Sequence, residues 1–260
     1  MSVAKKFDKY YTKPEVVETC VSYLSFDKYN TILEPSAGCG NFSNILKNYG
    51  NVIAIDIEPE NENILKSDFL KDSLTLENNT LVVGNPPFGR QCSLAIKFFN
   101  KAASYPNVST IAFILPKSFK KESMKNKLDR NFLLHLSMDL EHNSFTFKDK
   151  DYNVPSVFQI WSRTHEPRQK NTKKILNEKM SFLKLEETQN SSISIRRVGI
   201  NAGKAYWFNN QSNQSHYFLK TQNPENVINY LNSIEWEHND TTGPRSISKQ
   251  QFIEVLNRYQ

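Results

Sequence analysis

The chain has 260 residues, of which 38% are hydrophobic and 12% aromatic, enough for one large domain or one domain with a small appendage. Its formal net charge of +6 favours a polyanionic partner such as nucleic acid, although solvated lysines explain such a charge equally well. The three cysteines are odd in number and widely spaced, so neither a zinc site nor a disulfide framework is supported, and we predict no metal. No signal-peptide core or membrane-length apolar run appears, so we expect an intracellular, soluble protein of the cytoplasm or nucleus that binds no membrane.

The first two-thirds of the chain alternates helix-like and strand-like segments. Apolar residues at helical spacing predict helices, and short apolar runs between turn residues predict buried strands. The predicted helices span residues 14–24, 41–49 and 93–103, and the predicted strands span 31–33, 52–57, 80–83, 110–115, 133–138, 144–147 and 156–161. This alternation predicts an α/β protein with a doubly wound, mostly parallel sheet.

The last third of the chain has a different pattern. A basic, weakly patterned segment is predicted to be a linker with some helix, and strands and helices follow it, with Ser246 or Ser248 as an N-cap. The linker spans 163–184, the strands 192–200, 204–208 and 216–219, and the helices 226–236 and 248–259. We therefore predict a first domain over 1–165, followed over 166–260 by a basic linker and a small α+β module that binds substrate.

A glycine-containing loop joins the first predicted strand to the next helix, with the sequence Glu34-Pro35-Ser36-Ala37-Gly38-Cys39-Gly40-Asn41-Phe42. Gly38 and Gly40 would let the backbone turn tightly and approach a ligand. Open α/β sheets bind ligands at the carboxyl ends of their strands, so the position suits a cofactor. The third glycine of the dinucleotide fingerprint is missing, and a plain turn is the alternative interpretation.

Two carboxylates follow at positions suited to a nucleoside. Asp56 ends the next predicted strand, 22 positions after Glu34, where an acidic side chain can accept both ribose hydroxyl hydrogens. Asp68 and Phe69 offer an acceptor for an adenine amino group and a ring for its edge. Taken separately, each of these residues is equally consistent with an ordinary surface or core position.

The tetrapeptide Asn85-Pro86-Pro87-Phe88 follows a predicted strand. Consecutive prolines hold the backbone extended, so oxygens near them point in fixed directions. The Asn85 side-chain oxygen and the Pro86 carbonyl can each accept one hydrogen of a planar amino group, and Phe88 supplies a flat face. Accepting both hydrogens helps such a nitrogen to pyramidalise and to attack an electrophile. A proline-rich turn is the alternative.

These motifs, with Tyr10-Tyr11-Thr12-Lys13-Pro14 before them, resemble the S-adenosylmethionine (SAM)-dependent amino-methyltransferase superfamily, particularly the gamma-type adenine-specific enzymes, over residues 8–162. The resemblance implies a Rossmann-like SAM-dependent methyltransferase fold. It implies SAM contacts from Tyr11, Thr12, Glu34, Ser36, Ala37, Gly38, Gly40, Asp56, Asp68, Phe69 and Asn85, and catalysis by Asn85, Pro86, Pro87 and Phe88. Lys13 stands where the family commonly has proline. Phe88 replaces the tyrosine frequent in the DNA enzymes and is common in RNA relatives.

A group of basic residues follows the strand predicted at 110–115. Lys117, Lys120, Lys121 and Lys125 would lie beside the site in this fold and could hold a phosphate backbone, although a solvated helix explains them equally well.

The sequence therefore predicts SAM-dependent methylation of the 6-amino group of adenine in nucleic acid, with DNA slightly favoured over RNA. Methylation of an RNA guanine 2-amino group or of a protein glutamine amide is an alternative, because the same motif serves any planar amino group. An inactive partner subunit that binds nucleic acid is a further alternative. The oligomeric state stays open between a homodimer and a complex with a partner subunit.

Overall fold

A computed structural model describes residues 10–147, 150–170, 174–236 and 244–259. These residues form two compact units, one of residues 10–120 and 124–170, the other of residues 121–123 and 174–259, with the gaps just given.

The first unit contains ten strands. In chain order they are β1 (Tyr11–Thr12), β2 (Thr31–Glu34), β3 (Val52–Asp56), β4 (Leu65–Lys66), β5 (Thr80–Gly84), β6 (Val108–Pro116), β7 (Phe132–Asp139), β8 (Phe145–Phe147), β9 (Lys150–Tyr152) and β10 (Ser156–Arg163). The helices that accompany them are α1 (Pro14–Ser22), α2 (Asn41–Leu46) and α3 (Ser93–Ser104). The four-residue α4 (Glu122–Lys125) includes residues assigned to each unit. Single 3-10 turns precede α3, at Arg90–Cys92, and follow β6, at Lys117–Lys120.

Seven of these strands form the main sheet, in the order β4-β3-β2-β5-β6-β10-β7. The first five are parallel, whereas β10 pairs antiparallel with both β6 and β7. The chain leaves β2 towards β3 on one side and returns to β5 on the other, which creates the crevice where doubly wound sheets bind ligands. This is the Rossmann-like α/β fold that the sequence predicts, and the mostly parallel, doubly wound sheet is confirmed.

Burial on both faces explains why the central strands read as unbroken apolar runs. Every residue of β2 and β5 is buried. Helix α3 covers one face, where Phe99 packs edge-on against Phe113 and Trp161. On the other face, Val17 and Val21 of α1 pack in a cluster with Phe42.

A smaller antiparallel sheet has the order β1-β8-β9 and attaches the N-terminal segment to a hairpin. The Lys13 amide donates to the Ser144 carbonyl at 3.1 Å, and Lys13 Nζ lies 2.8 Å from Asp151 Oδ1. Lys13 has φ −63°, a value that proline also adopts, but a proline could not donate that hydrogen bond. Lysine at this position therefore preserves the backbone direction and adds two attachments to the hairpin.

The second unit is a four-stranded antiparallel sheet with two helices. Its elements are β11 (Met180–Phe182), β12 (Ile193–Arg196), β13 (Ala205–Trp207), β14 (His216–Thr221), α5 (Pro224–Ser233) and α6 (Lys249–Leu256), with a 3-10 turn at Leu185–Asn190. The sheet order is β11-β14-β12-β13, and Ile193, Leu219, Leu231 and Phe252 lie in its core. Ser248 caps α6 in a reciprocal capping box with Gln251, which decides between the two predicted N-caps.

The segment predicted as a linker differs from the expectation. No helix occurs in its described residues, 163–170 and 174–184, and Met180–Phe182 forms the edge strand β11. Three residues with a single buried side chain, Met180, are too few to show an alternation in sequence. In the part of the chain that the structure describes, no helix is both long and apolar enough to cross a bilayer.

Candidate active site

A cavity of about 300 Å³ opens at the carboxyl ends of β2, β3 and β5, within the first unit. This volume falls at the lower end of the range for small-molecule sites. The predicted site residues that line it are Tyr11, Thr12, Glu34, Ser36, Ala37, Gly38, Asp56, Asp68, Phe69, Asn85 and Pro87. Gly40, Pro86, Phe88 and the four lysines are not among its lining residues. Most of the residues that the motifs single out therefore meet in one place, although they come from five separate segments.

Glu34 ends β2 and is the most deeply buried carboxyl of the cavity wall, with 2% of its surface exposed. Burial raises its pKa to about 8, against the effect of hydrogen bonds from Ser43. Its Oε2 atom has no hydrogen-bond partner among the described residues. A Cβ atom on Gly84, the last residue of β5, would come within 3.3 Å of Glu34 Cγ, so the adjacent strand leaves space for this side chain.

The loop after β2 wraps closely around the end of β3. Gly38 and Gly40 have φ of +55° and +94°, in the left-handed region that favours glycine. The Gly38 amide donates to Asp56 Oδ2 at 2.8 Å, and a Cβ atom on Gly38 would lie 3.2 Å from the Tyr11 ring. The backbone of Gly38 thus forms part of the cavity wall. Gly40 makes the turn that leads into α2.

Asp56 is held by two backbone donors, Gly38 to Oδ2 and the Glu58 amide to Oδ1, both at 2.8 Å. A carboxylate offers about four acceptor positions, so about two remain for a ligand. The geometry accordingly fixes the carboxylate and still leaves it able to accept a pair of hydroxyl hydrogens.

Asp68 and Phe69 are less available than the sequence suggests. Asp68 Oδ1 accepts from the Leu70 amide at 3.1 Å, and Oδ2 lies 3.0 Å from Lys71 Nζ. Phe69 is 2% exposed and packs against Phe98, with ring centroids 5.4 Å apart. Both residues border the cavity, and Phe69 is also part of the hydrophobic core.

Asn85 follows β5 and has a side chain with two unlike ends. Its Nδ2 donates to Thr12 Oγ1 at 3.2 Å and to the Tyr10 carbonyl oxygen at 3.4 Å. Its Oδ1 is buried and has no hydrogen-bond partner in the described chain. The Asn85 carbonyl accepts from Ser36 Oγ at 3.3 Å. The residue is thus anchored at its amide nitrogen and at its backbone, and one acceptor is left over.

The rest of the tetrapeptide is packed into the fold. Pro86 is buried, and Phe88 is half-buried against both large core clusters. The Phe88 carbonyl accepts from the Leu94 and Ala95 amides at 3.1 and 3.3 Å, at the first turn of α3. These contacts pin the end of the tetrapeptide to the helix, and the flat face expected of Phe88 stays a prediction.

Several cavity residues were not found from the sequence. Glu60 accepts a hydrogen bond from the Tyr11 hydroxyl, and burial together with Glu60 raises the pKa of Tyr11. Leu94 and Phe98, one turn apart on α3, add apolar wall. Their helical spacing indicates only a core face, and Glu60 lies in a loop without any pattern, so no local signal marks these positions.

The predicted basic surface is partly neutralised. Asp139 Oδ2 lies 3.3 Å from Lys117 Nζ, and Asp139 Oδ1 lies 3.1 Å from Lys120 Nζ. Lys125 belongs to the first unit and Lys121 to the second. Contact of these four lysines with nucleic acid stays a prediction. Among the described residues, no group of three or more His, Cys, Asp or Glu side chains is arranged to hold a metal ion.

Comparisons with known proteins give distant likenesses. No family model matches the chain. It is 28% identical to Protein ENHANCED DOWNY MILDEW 2 of Arabidopsis thaliana over an alignment of 187 positions, which covers 61% of this chain and only 14% of the length of that relative.

Among solved structures, it is similar to the 23S rRNA methyltransferase ErmE, at 16% identity with a TM-score of 0.44, covering 60% of this chain and 71% of that one. It is also similar to a modification subunit of a protein assigned as a type I restriction enzyme in Vibrio vulnificus, at 14% identity with a TM-score of 0.47, covering 60% of this chain and 45% of that one. Likeness at this level assigns neither an activity nor a substrate to this chain.

Proposed function

We propose that the chain is a SAM-dependent methyltransferase that methylates the exocyclic 6-amino group of adenine in nucleic acid, with DNA slightly favoured over RNA. The observation that carries the proposal is the buried Asn85 Oδ1, which has no hydrogen-bond partner among the described residues and belongs to the wall of a cavity that Glu34 and Asp56 also line. An orphan acceptor of this kind costs about 1–3 kcal/mol unless a donor satisfies it. A planar amino group supplies that donor.

The cavity residues fit SAM. Glu34 Oε2 is a buried acceptor without a partner in the described chain, which suits an ammonium group. Asp56 keeps free acceptor positions for ribose hydroxyls, and Leu94 with Phe98 offers apolar surface for a purine ring. When bound, SAM would supply an activated methyl group, whose bond to the sulfonium sulfur breaks readily because the sulfur leaves as a neutral thioether. The protein is therefore required mainly to bind, orient and exclude water.

Asn85 acts on the target nitrogen, which is the atom that receives the methyl group. The lone pair of an exocyclic amine is delocalised into its ring, which makes the nitrogen a weak nucleophile. A hydrogen bond from the amine to Asn85 Oδ1, and a second to the Pro86 carbonyl, returns electron density to the nitrogen as it pyramidalises. Oriented acceptors in a water-poor cavity act more strongly than they would in solvent, because they need no reorganisation.

Access to Asn85 requires movement. Oδ1 is buried, so a target amine reaches it only after neighbouring side chains shift. The target base must itself leave a duplex before its amino group can enter a cavity, at a cost of a few kcal/mol. An unpaired or mismatched adenine should therefore be the better substrate.

The same acceptor would serve a planar side-chain amide, so a protein glutamine is the second candidate substrate. The test is transfer of a labelled methyl group from SAM to DNA, RNA and protein, followed by digestion of the nucleic acids to nucleosides and mass spectrometry. We expect N6-methyladenine. Label in protein alone, or on guanine, would overturn the choice of substrate, and no transfer to any of the three would overturn the activity.

A further inference from the structure

The Asn85 amide can work as an acceptor only in one of its two orientations. Its nitrogen carries two donors and its oxygen only accepts, and the two ends have nearly the same shape. In the structure the nitrogen faces the Tyr10 carbonyl oxygen and Thr12 Oγ1. The Tyr10 carbonyl has no hydrogen to give, so the reversed amide would bring two oxygens together. The contacts of the nitrogen thus determine which end faces away from the N-terminal segment.

Thr12 is held in place by this chain's own residues. It is 4% exposed, its carbonyl accepts from Asn41 Nδ2 at 2.7 Å, and it pairs with Phe145 across the small sheet. The next amide, that of Lys13, is bonded to Ser144. The position of the Thr12 hydroxyl is therefore set by packing and strand pairing, before any ligand binds.

We infer that Thr12 is a positioning residue for the acceptor site, which holds the Asn85 amide with its oxygen available to the target amine, and that its hydroxyl is not a SAM contact. This inference rests on the proposed function. It departs from the role that the family resemblance implies for Thr12, and it makes separate predictions for amide dynamics, SAM affinity and turnover.

The first test observes the Asn85 side-chain amide directly, by NMR of the cofactor-free protein with ¹⁵N-labelled asparagine. Loss of the signal in Asn85→Ala assigns it. We expect slow hydrogen exchange in the wild type and in Thr12→Ser, which keeps the hydroxyl, and faster exchange in Thr12→Val. Thr19→Val is the matched control, because Thr19 lies on the exposed side of α1 and its hydroxyl donates to the Glu15 carbonyl in the same helix. Equal exchange in wild type and Thr12→Val would overturn the inference.

The second test separates positioning from cofactor binding. Loss of one orienting hydrogen bond should lower kcat about 2- to 12-fold in Thr12→Val. The Kd for SAM measured by calorimetry should be unchanged, and Thr12→Ser should restore kcat. Weaker SAM binding with an unchanged kcat at saturating SAM would instead make Thr12 a cofactor contact.

A further variant leaves the packing of Thr12 untouched. Asn85→Asp replaces the bound nitrogen by oxygen, and only its protonated carboxyl can donate to the Tyr10 carbonyl. We expect methyl transfer by Asn85→Asp to rise as pH falls, relative to the wild type. A pH profile parallel to that of the wild type would overturn the inference. If the wild type transfers no methyl group to any substrate, the proposed function fails, while amide exchange still decides the orientation of Asn85.

Discussion

We predict that SAM binding releases a proton from the buried carboxyl of Glu34. Burial raises the pKa of the Glu34 carboxyl to about 8, so most of the molecules carry this proton at pH 6.5. An ammonium group beside Oε2 favours the ionised carboxylate, which expels that proton. Calorimetric titration with SAM at pH 6.5, in two buffers of different ionisation enthalpy, should therefore report release of nearly one proton. At this pH an α-amino group is itself almost fully protonated and contributes little.

Glu34→Gln should abolish this release, whereas Glu18→Gln, an exposed acidic residue on α1, should leave it intact. A wild-type binding enthalpy that is the same in both buffers would refute the reasoning. The ligand-free protein gives an independent check, since a carboxyl with a raised pKa in the folded state stabilises the fold at low pH and loses that contribution as pH rises through about 8. Between pH 5 and 8, the stability of the wild type should therefore fall relative to that of Glu34→Gln in thermal unfolding.

Three further predictions concern the other site residues. Asp56→Ala should weaken SAM binding by about 1.5–3 kcal/mol in calorimetry, because a charged acceptor is lost, and unchanged affinity would remove Asp56 from the site. Asn85→Ala should lower the single-turnover methylation rate about 10²–10³-fold with SAM affinity retained, by analogy with the loss of one oriented oxyanion donor, and a wild-type rate would contradict the proposed chemistry. Asp139→Asn should remove the ion pairs of Lys117 and Lys120 and leave both lysines able to bind phosphates. The slope of log K for nucleic-acid binding against log salt concentration should then steepen by about 0.7–0.9 for each phosphate that one of these lysines neutralises. A slope equal to that of the wild type would show that neither lysine reaches a phosphate.

The features that the sequence predicts correctly are those with a local physical cause. The central strands are buried on both faces, so their apolar runs are visible in the sequence, and α3 shows a clear helical face. Strand β1 has two residues and exists only because it pairs with β8, more than 130 positions away, so no local pattern marks it. Strand β11 was missed for the same reason, because it is defined by its pairing with β14.

In the candidate site too, the sequence predicts which residues are present but not how they are arranged. The motifs indicate which residues meet, since the carboxyl ends of parallel strands share one edge of the sheet. They do not indicate how Asn85 is oriented, because its partners Thr12 and Tyr10 lie 73 and 75 positions away. The ion pairs of Asp139 with two of the lysines are likewise contacts between distant segments, which charge counting along the chain does not reveal.

Unsatisfied buried acceptors connect the fold to the proposed chemistry. Among the described residues, five buried side-chain atoms have no hydrogen-bond partner: Thr31 Oγ1, Glu34 Oε2, Asn85 Oδ1, Ser194 Oγ and Trp236 Nε1. Two of these atoms, Glu34 Oε2 and Asn85 Oδ1, belong to residues that line the cavity. A buried polar atom without a partner costs about 1–3 kcal/mol, which a donor on a bound ligand would remove. The ammonium group of SAM would satisfy Glu34 Oε2, and the amino group of the target base would satisfy Asn85 Oδ1. Cofactor and target would therefore each remove the cost of one unsatisfied buried atom.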